Sequence, residues 1–139
     1  MLHQFSTKRI LEEINVIYKC DFTITNKFHR IEVQRKICDI ILKYKISNTD
    51  NAYVRAFGNS FNHGKVPIYC SVYVSNDNKL LIIIKDSGNG FDYQRIISKF
   101  KSGKKYYHRH GHGTKAYNLN KYSKVSFCNN GKTIAILYN

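Results

Sequence analysis

Acidic residues are scarce in this chain: 9 Asp plus Glu stand against 23 Lys plus Arg, leaving a formal charge of +14 over 139 residues. An excess of that size directs attention to polyanionic partners, whether nucleotides, nucleic acid or an acidic protein face, without choosing among them. Proline occurs once, while hydrophobic residues make up 42% and aromatics 14% of the chain, a balance that excludes collagen-like, low-complexity and wholly disordered classes. No CxxC pair joins Cys20, Cys38, Cys70 and Cys128. That spacing argues against a zinc site and against a disulfide-stapled secreted domain, so the thiols are expected reduced, as small buried hydrophobes. Long apolar runs are also lacking. Leu80 to Ile84 is the longest in the later chain, far short of the roughly 20 residues that cross a membrane. Lys8, Arg9, Glu12, Glu13 and Lys19 interrupt the first twenty residues, so no export signal is legible and a cytoplasmic setting is expected.

Ser6 can cap a segment with Ile10, Leu11, Ile14 and Ile17 at helical spacing, which predicts a helix over 7–18. Cys20, Phe22 and Ile24 then alternate with Asp21, Thr23 and Thr25, the period of a half-buried strand. From Phe28 to Tyr44, apolar positions three or four apart predict the clearest helix. A polar break at residues 47–50 offers caps for a further helix over 51–63, which Gly64 would stop. Ile68 to Val74 and Leu80 to Ile84, joined through Asn76-Asp77-Asn78, read as a hairpin with a central second strand. A helical pattern follows at Tyr93, Ile96, Ile97 and Phe100. The basic segment KFKSGKKYYHRHGHG reads as a loop or lid, and Ala116, Leu119 and Tyr122 share one face of a short helical stretch. The chain ends in two alternating strands around Asn130-Gly131.

Three blocks carry chemistry. Arg55-Ala56-Phe57-Gly58-Asn59-Ser60-Phe61-Asn62-His63-Gly64 lies on a helix, Asp86-Ser87-Gly88-Asn89-Gly90 at a strand end, and Gly111-His112-Gly113 at a helix entry. A carboxylate at Asp86 can accept a hydrogen bond from an exocyclic amine such as that of adenine, and Gly88 and Gly90 permit close backbone approach to a flat ring or a phosphate. Asn59 offers a neutral oxygen ligand, adequate for Mg²⁺ when phosphate oxygens and waters complete the octahedron. Gly111 and Gly113 present backbone N–H groups to phosphates, and Lys101, Lys104, Lys105 and Arg109 add charge there.

The order and spacing of these blocks resemble the ATP-binding domain of the gyrase, heat-shock chaperone, histidine kinase and mismatch-repair superfamily (GHKL). The small anti-sigma-factor and serine-protein kinase branch is the most similar part of it. That branch reads E-A-x-x-N-A-x-x-H-G on the helix, then D-x-G-x-G, then G-x-G. The resemblance covers roughly residues 20–139 and leaves 1–19 as an N-terminal helical extension. It implies a histidine-kinase-like α/β (α+β) two-layer sandwich: a mixed, largely antiparallel sheet with helices on one face. By the same resemblance, Asn59 matches the magnesium-binding Asn and Asp86 the adenine-binding Asp, while Gly88, Gly90, Gly111 and Gly113 match the two glycine boxes. Thr133 looks like the threonine of the closing G-T-x-apolar strand, although Lys132 intervenes between it and Gly131. His63-Gly64 matches with a structural role.

Arg55 departs from the family, which places a catalytic Glu there. A permanently cationic guanidinium cannot serve as a base, although it can bind phosphate. The resemblance therefore implies binding of ATP or ADP with Mg²⁺ by a regulatory domain that acts on a protein partner, sigma-factor-like or anti-anti-sigma-like. Turnover stays open, with serine/threonine-protein kinase or ATPase as the active form and a catalytically inactive, nucleotide-dependent binding module as the alternative. A homodimer through residues 7–18 is also implied. Direct nucleic-acid binding is a third reading, since Tyr106-Tyr107 beside Lys104, Lys105 and Arg109 can stack on bases. His108, His110 and His112 alternate, so they read either as polar lid residues or as a shared metal face.

Overall fold

A computed structural model describes residues 3–101, 117 and 120–139 of the chain. In chain order the elements are α1 (Thr7–Glu13), β1 (Val16–Ile24), α2 (Lys27–Lys43), α3 (Ala52–His63), β2 (Ile68–Ser75) and β3 (Leu80–Lys85). They continue with α4 (Tyr93–Lys101), β4 (Ser123–Cys128), a 3-10 turn (Asn129–Gly131) and β5 (Thr133–Tyr138). The strands form one sheet in the order β1-β2-β3-β5-β4. Every neighbouring pair is antiparallel, so the sheet expected to be mixed has no parallel pair among these strands.

Alternation within the sheet divides two cores. Val72, Val74, Leu80, Ile82, Ile84, Ile134, Ile136 and Tyr138 face α2 and α3, where Val33, Ile37, Ile40, Ala56 and Phe57 meet them. Leu81, Ala135 and Leu137 face the other way, flanked on the sheet by Tyr73 and Ile83 and covered by Phe5, Ile10 and Leu11. Helices were expected on one face only. Instead the N-terminal segment closes the second face, because β3 and β5 are apolar at consecutive positions and leave a stripe there that needs cover. This burial also uses the apolar side of α1 within the chain.

The helix expected over 7–18 is shorter. It is capped by Ser6 Oγ, which accepts from Arg9 N, and it ends at Glu13. Residues 16–18 already belong to β1, and the expected boundary at residue 19 falls inside that strand. Ile14 and Ile17 fit a helical period, but Tyr18 also extends the inward alternation of Cys20, Phe22 and Ile24. Pairing of β1 with β2 down to Val16 outweighs the weak helix propensity of a β-branched run. Ahead of α1, the chain borders edge strand β4. His3 N donates to Val125 O at 2.9 Å, Gln4 Nε2 to Phe127 O at 3.1 Å, and Phe127 N to Gln4 Oε1 at 3.0 Å. These contacts satisfy edge groups that would otherwise offer a pairing template.

The thiols divide as well. Cys70 is buried and Cys20 half-buried, but Cys38 and Cys128 are exposed, so the expectation that all four are core hydrophobes holds only in part. No helix among the described residues is long and apolar enough to cross a membrane.

Asp50 ties three elements together. Its Oδ1 accepts from Ala52 N at 3.0 Å, capping α3, and its Oδ2 accepts from Ser123 Oγ at 2.8 Å. Tyr138 Oη shares its proton between Asp50 O at 3.0 Å and Oδ1 at 3.1 Å. Asp50→Ala removes the cap and leaves Tyr138 and Ser123 with fewer acceptors. We expect a loss of about 2–4 kcal/mol of stability, read from the urea midpoint; a change below about 0.5 kcal/mol would show that water replaces the carboxylate fully.

Candidate functional site

Strand β3 ends at Lys85, and the next residues are held on several sides. Asp86 N donates to Lys132 O at 3.0 Å and Ser87 N to Lys65 O at 2.9 Å. Ser87 Oγ donates to Pro67 O at 2.7 Å. Gly88 N donates to Asp86 Oδ1 at 2.7 Å, a local turn of the kind Asp favours. The carboxyl group is thereby fixed in rotation and only 8% exposed. Among the described residues Oδ1 has its donor, and Oδ2 is the oxygen left to accept from a ligand.

The glycines around Asp86 are there for space. A Cβ at Gly64, the C-cap of α3, would overlap the Asp86 carboxyl. A Cβ at Gly88 would sit 2.9 Å from Asp86 Oδ1 and 3.2 Å from Gly64 Cα. Gly64 has an extended backbone (φ −99°), so its role is close approach and not a left-handed turn. Gly90 needs both. Its φ is +77°, and a Cβ there would overlap Asn130 O, the same oxygen that accepts from Phe91 N at 2.8 Å. The first glycine box therefore packs against α3 on one side and the β4–β5 turn on the other, an approach to the protein's own backbone.

Between these segments lies a cleft that opens to solvent. Asn59, Ser60 and His63 contribute from α3, Asp86, Gly90 and Phe91 from the loop after β3, and Gly131 and Lys132 from the β4–β5 turn. Ala56, Tyr117, Phe127 and Ile134 complete the wall. Phe127 meets Phe91 edge-on with centroids 5.2 Å apart and meets Tyr117 at 6.0 Å, which gives one side of the cleft a fixed aromatic surface.

Asn59 Nδ2 donates to Tyr117 Oη at 3.1 Å, and no described residue bonds its Oδ1. Tyr117 is 1% exposed. Burial pushes its phenol well above the ordinary tyrosine range, with the Asn59 hydrogen bond and the Arg55 charge acting in the opposite direction. Arg55 itself is exposed, one turn before Asn59 on α3, and does not line the cleft.

The structure thus brings together Asn59, Asp86 and Gly90, with Gly88 bracing Asp86 from outside the lining. Thr133 is not part of the cleft. It lies in register opposite Lys85, on the sheet face of Ala135 and Leu137. With Ile134 pointing into the cleft, a period of two sends Thr133 to the opposite side, and Lys132 lines the cleft instead. The candidate phosphate and lid residues Lys104, Lys105, Arg109, Gly111 and Gly113, and the histidines 108, 110 and 112, lie outside the described residues. Motif reading missed Lys132, Phe91, Phe127 and Tyr117. For Lys132 a signal existed, since counting back by twos from the apolar Ile136 and Ile134 reaches it. For the aromatics there was none, because their positions follow from the packing of three separate segments.

No protein-family model matches the chain, and no curated protein or solved structure matches it.

Proposed function

We propose that this chain is a regulatory domain that binds ATP or ADP with Mg²⁺ and acts through a protein partner, in the manner of the anti-sigma-factor serine-protein kinases it resembles. One observation carries the reading: residues 59, 86, 90 and 131–132, from three separate segments, converge on one cleft around a buried, rotationally fixed carboxylate with one oxygen to spare. A carboxylate so placed suits the exocyclic amine of a purine, and the aromatic wall of Phe91 and Phe127 suits its flat face. Asn59 also keeps a neutral oxygen at the cleft, a ligand type that suits a hard cation whose other positions are taken by phosphate and water. Mg²⁺, when bound, would neutralise phosphate charge, and Asn59 Oδ1 is the group that would hold it.

Binding without turnover is the form best supported. Asp86 is the one carboxylate among the described cleft residues, and it is committed to the proposed base contact. Arg55, where a catalytic Glu would stand, is exposed and cationic. A protein partner is supported by the outer side of α2. There Phe28 (82% exposed), Ile31 and Leu42 (71% exposed) form an uncovered apolar stripe, interrupted by Arg35 and Cys38, all at alternating spacings of three and four.

Calorimetry with ATP and ADP, with and without Mg²⁺, tests the proposal. We expect Kd values of about 1–100 µM, the range of ordinary nucleotide recognition. Asn59→Ala should remove most of the Mg²⁺ enhancement while leaving metal-free ADP binding within about threefold. Absence of binding to either nucleotide would end the proposal. In that case steep salt dependence of oligonucleotide affinity would be the measurement to favour nucleic acid.

A further inference from the structure

The geometry points to Lys132 as the second half of a base-reading pair, and we propose that its ammonium donates to the ring-nitrogen acceptor beside the amine that Asp86 accepts. This rests on the nucleotide reading above and adds a specificity-determining residue to it. Lys132 lies next to Asp86 across the β3–β5 seam, its carbonyl accepting Asp86 N–H at 3.0 Å. Its stem runs along the glycine box, with Cγ 3.2 Å from where a Cβ at Gly90 would stand. It is half-buried, it lines the cleft, and no described carboxylate lies within ion-pair distance of it. With no carboxylate claiming it, the ammonium is available to a ligand that enters the cleft.

The complementarity then fixes the chemistry of the ligand edge. Asp86 Oδ2 can accept one N–H, and Lys132 Nζ, a donor with no acceptor capacity, requires a lone pair beside it. An amino-heterocycle with a donor amine adjacent to a ring nitrogen has that edge, and the 6-amino group and N1 of adenine are such a pair. With Thr133 on the far face, Lys132 is the one described side chain from the β4–β5 turn that lines the cleft.

The experiment compares ADP with 1-deaza-ADP, in which C–H replaces N1, by calorimetry on the full chain and on Lys132→Met. The unaltered chain should prefer ADP by about tenfold, the effect of one charged hydrogen bond, and Lys132→Met should bind both ligands alike at the weaker level. Lys132→Arg, which keeps a donor, should retain part of the preference, and circular dichroism melts establish that each variant is folded. Retention of the full preference by Lys132→Met would overturn the proposal, and so would an equal loss for both ligands, which would place the lysine on the phosphates. Failure of the unaltered chain to bind ADP would instead remove the nucleotide reading itself, and the lysine contact with it.

Discussion

Replacement of Asp86 by Asn should weaken ADP binding by at least about 100-fold while changing stability little. The asymmetry comes from which oxygen does what. Oδ1 accepts the Gly88 N–H at 2.7 Å, and an asparagine oxygen can keep that bond, so the turn after β3 survives. The amide nitrogen would then occupy the position of Oδ2, presenting two donors to the donor amine of the base. A charged acceptor contributes about 1.5–3 kcal/mol to a hydrogen bond, and facing donor with donor adds a desolvation penalty of similar size. Calorimetry on the variant measures the loss directly, and a thermal melt separates it from unfolding. Binding retained within threefold would mean that the carboxylate does not contact the base. Gly64 bears on the same point: any side chain there must displace the Asp86 carboxyl, so the glycine at the end of α3 serves the cleft through the aspartate's position.

The elements were mostly legible because periodicity reports burial, and burial here follows regular structure. Helix α2 spans Lys27–Lys43 against an expectation of Phe28 to Tyr44, and β3 spans Leu80–Lys85 against Leu80 to Ile84. Where two periods fit the same residues, the sequence was ambiguous, as at Ile14 and Ile17, and strand pairing decided. Antiparallel order throughout the sheet was not legible, since the β3–β5–β4 arrangement depends on a long crossover whose length alone permits either direction. The N-terminal contacts with β4 were hidden for a related reason: Gln4 and His3 carry no pattern, and their role exists only because an edge needs partners. At the site, Asn59, Asp86 and the glycines could be read as chemistry-bearing residues from type and spacing. The face of Thr133 could not be judged by motif alignment, because one inserted residue, Lys132, reverses the side to which the strand points it.

Stability should change little between pH 8 and 9 and then fall, with a slope that steepens above pH 10. Burial raises the Cys70 thiol well above its ordinary value of 9.0, and it raises the phenols of Tyr117 and Tyr138 above 10.0, with the nearby Asp50 charge adding to the effect at Tyr138. In each case the folded state holds a proton that the unfolded chain releases. The contribution is therefore fully present below the unfolded value and is lost as pH rises through the interval toward the folded one. Each such group gives a slope of about 1.4 kcal/mol per pH unit. From pH 9 to 10 Cys70 dominates, and above pH 10 the tyrosines add to it, with Tyr18 and Tyr53 shifted in the same direction, so the summed loss by pH 11 is on the order of 5 kcal/mol. Urea titrations at half-unit steps from pH 8 to 11 would show the change of slope at pH 10. Cys70→Ala should start less stable at pH 8 but be flat between pH 9 and 10, because the proton it would have retained is gone. A slope in that variant equal to the unaltered chain's would assign the alkaline loss to groups other than the buried thiol on β2.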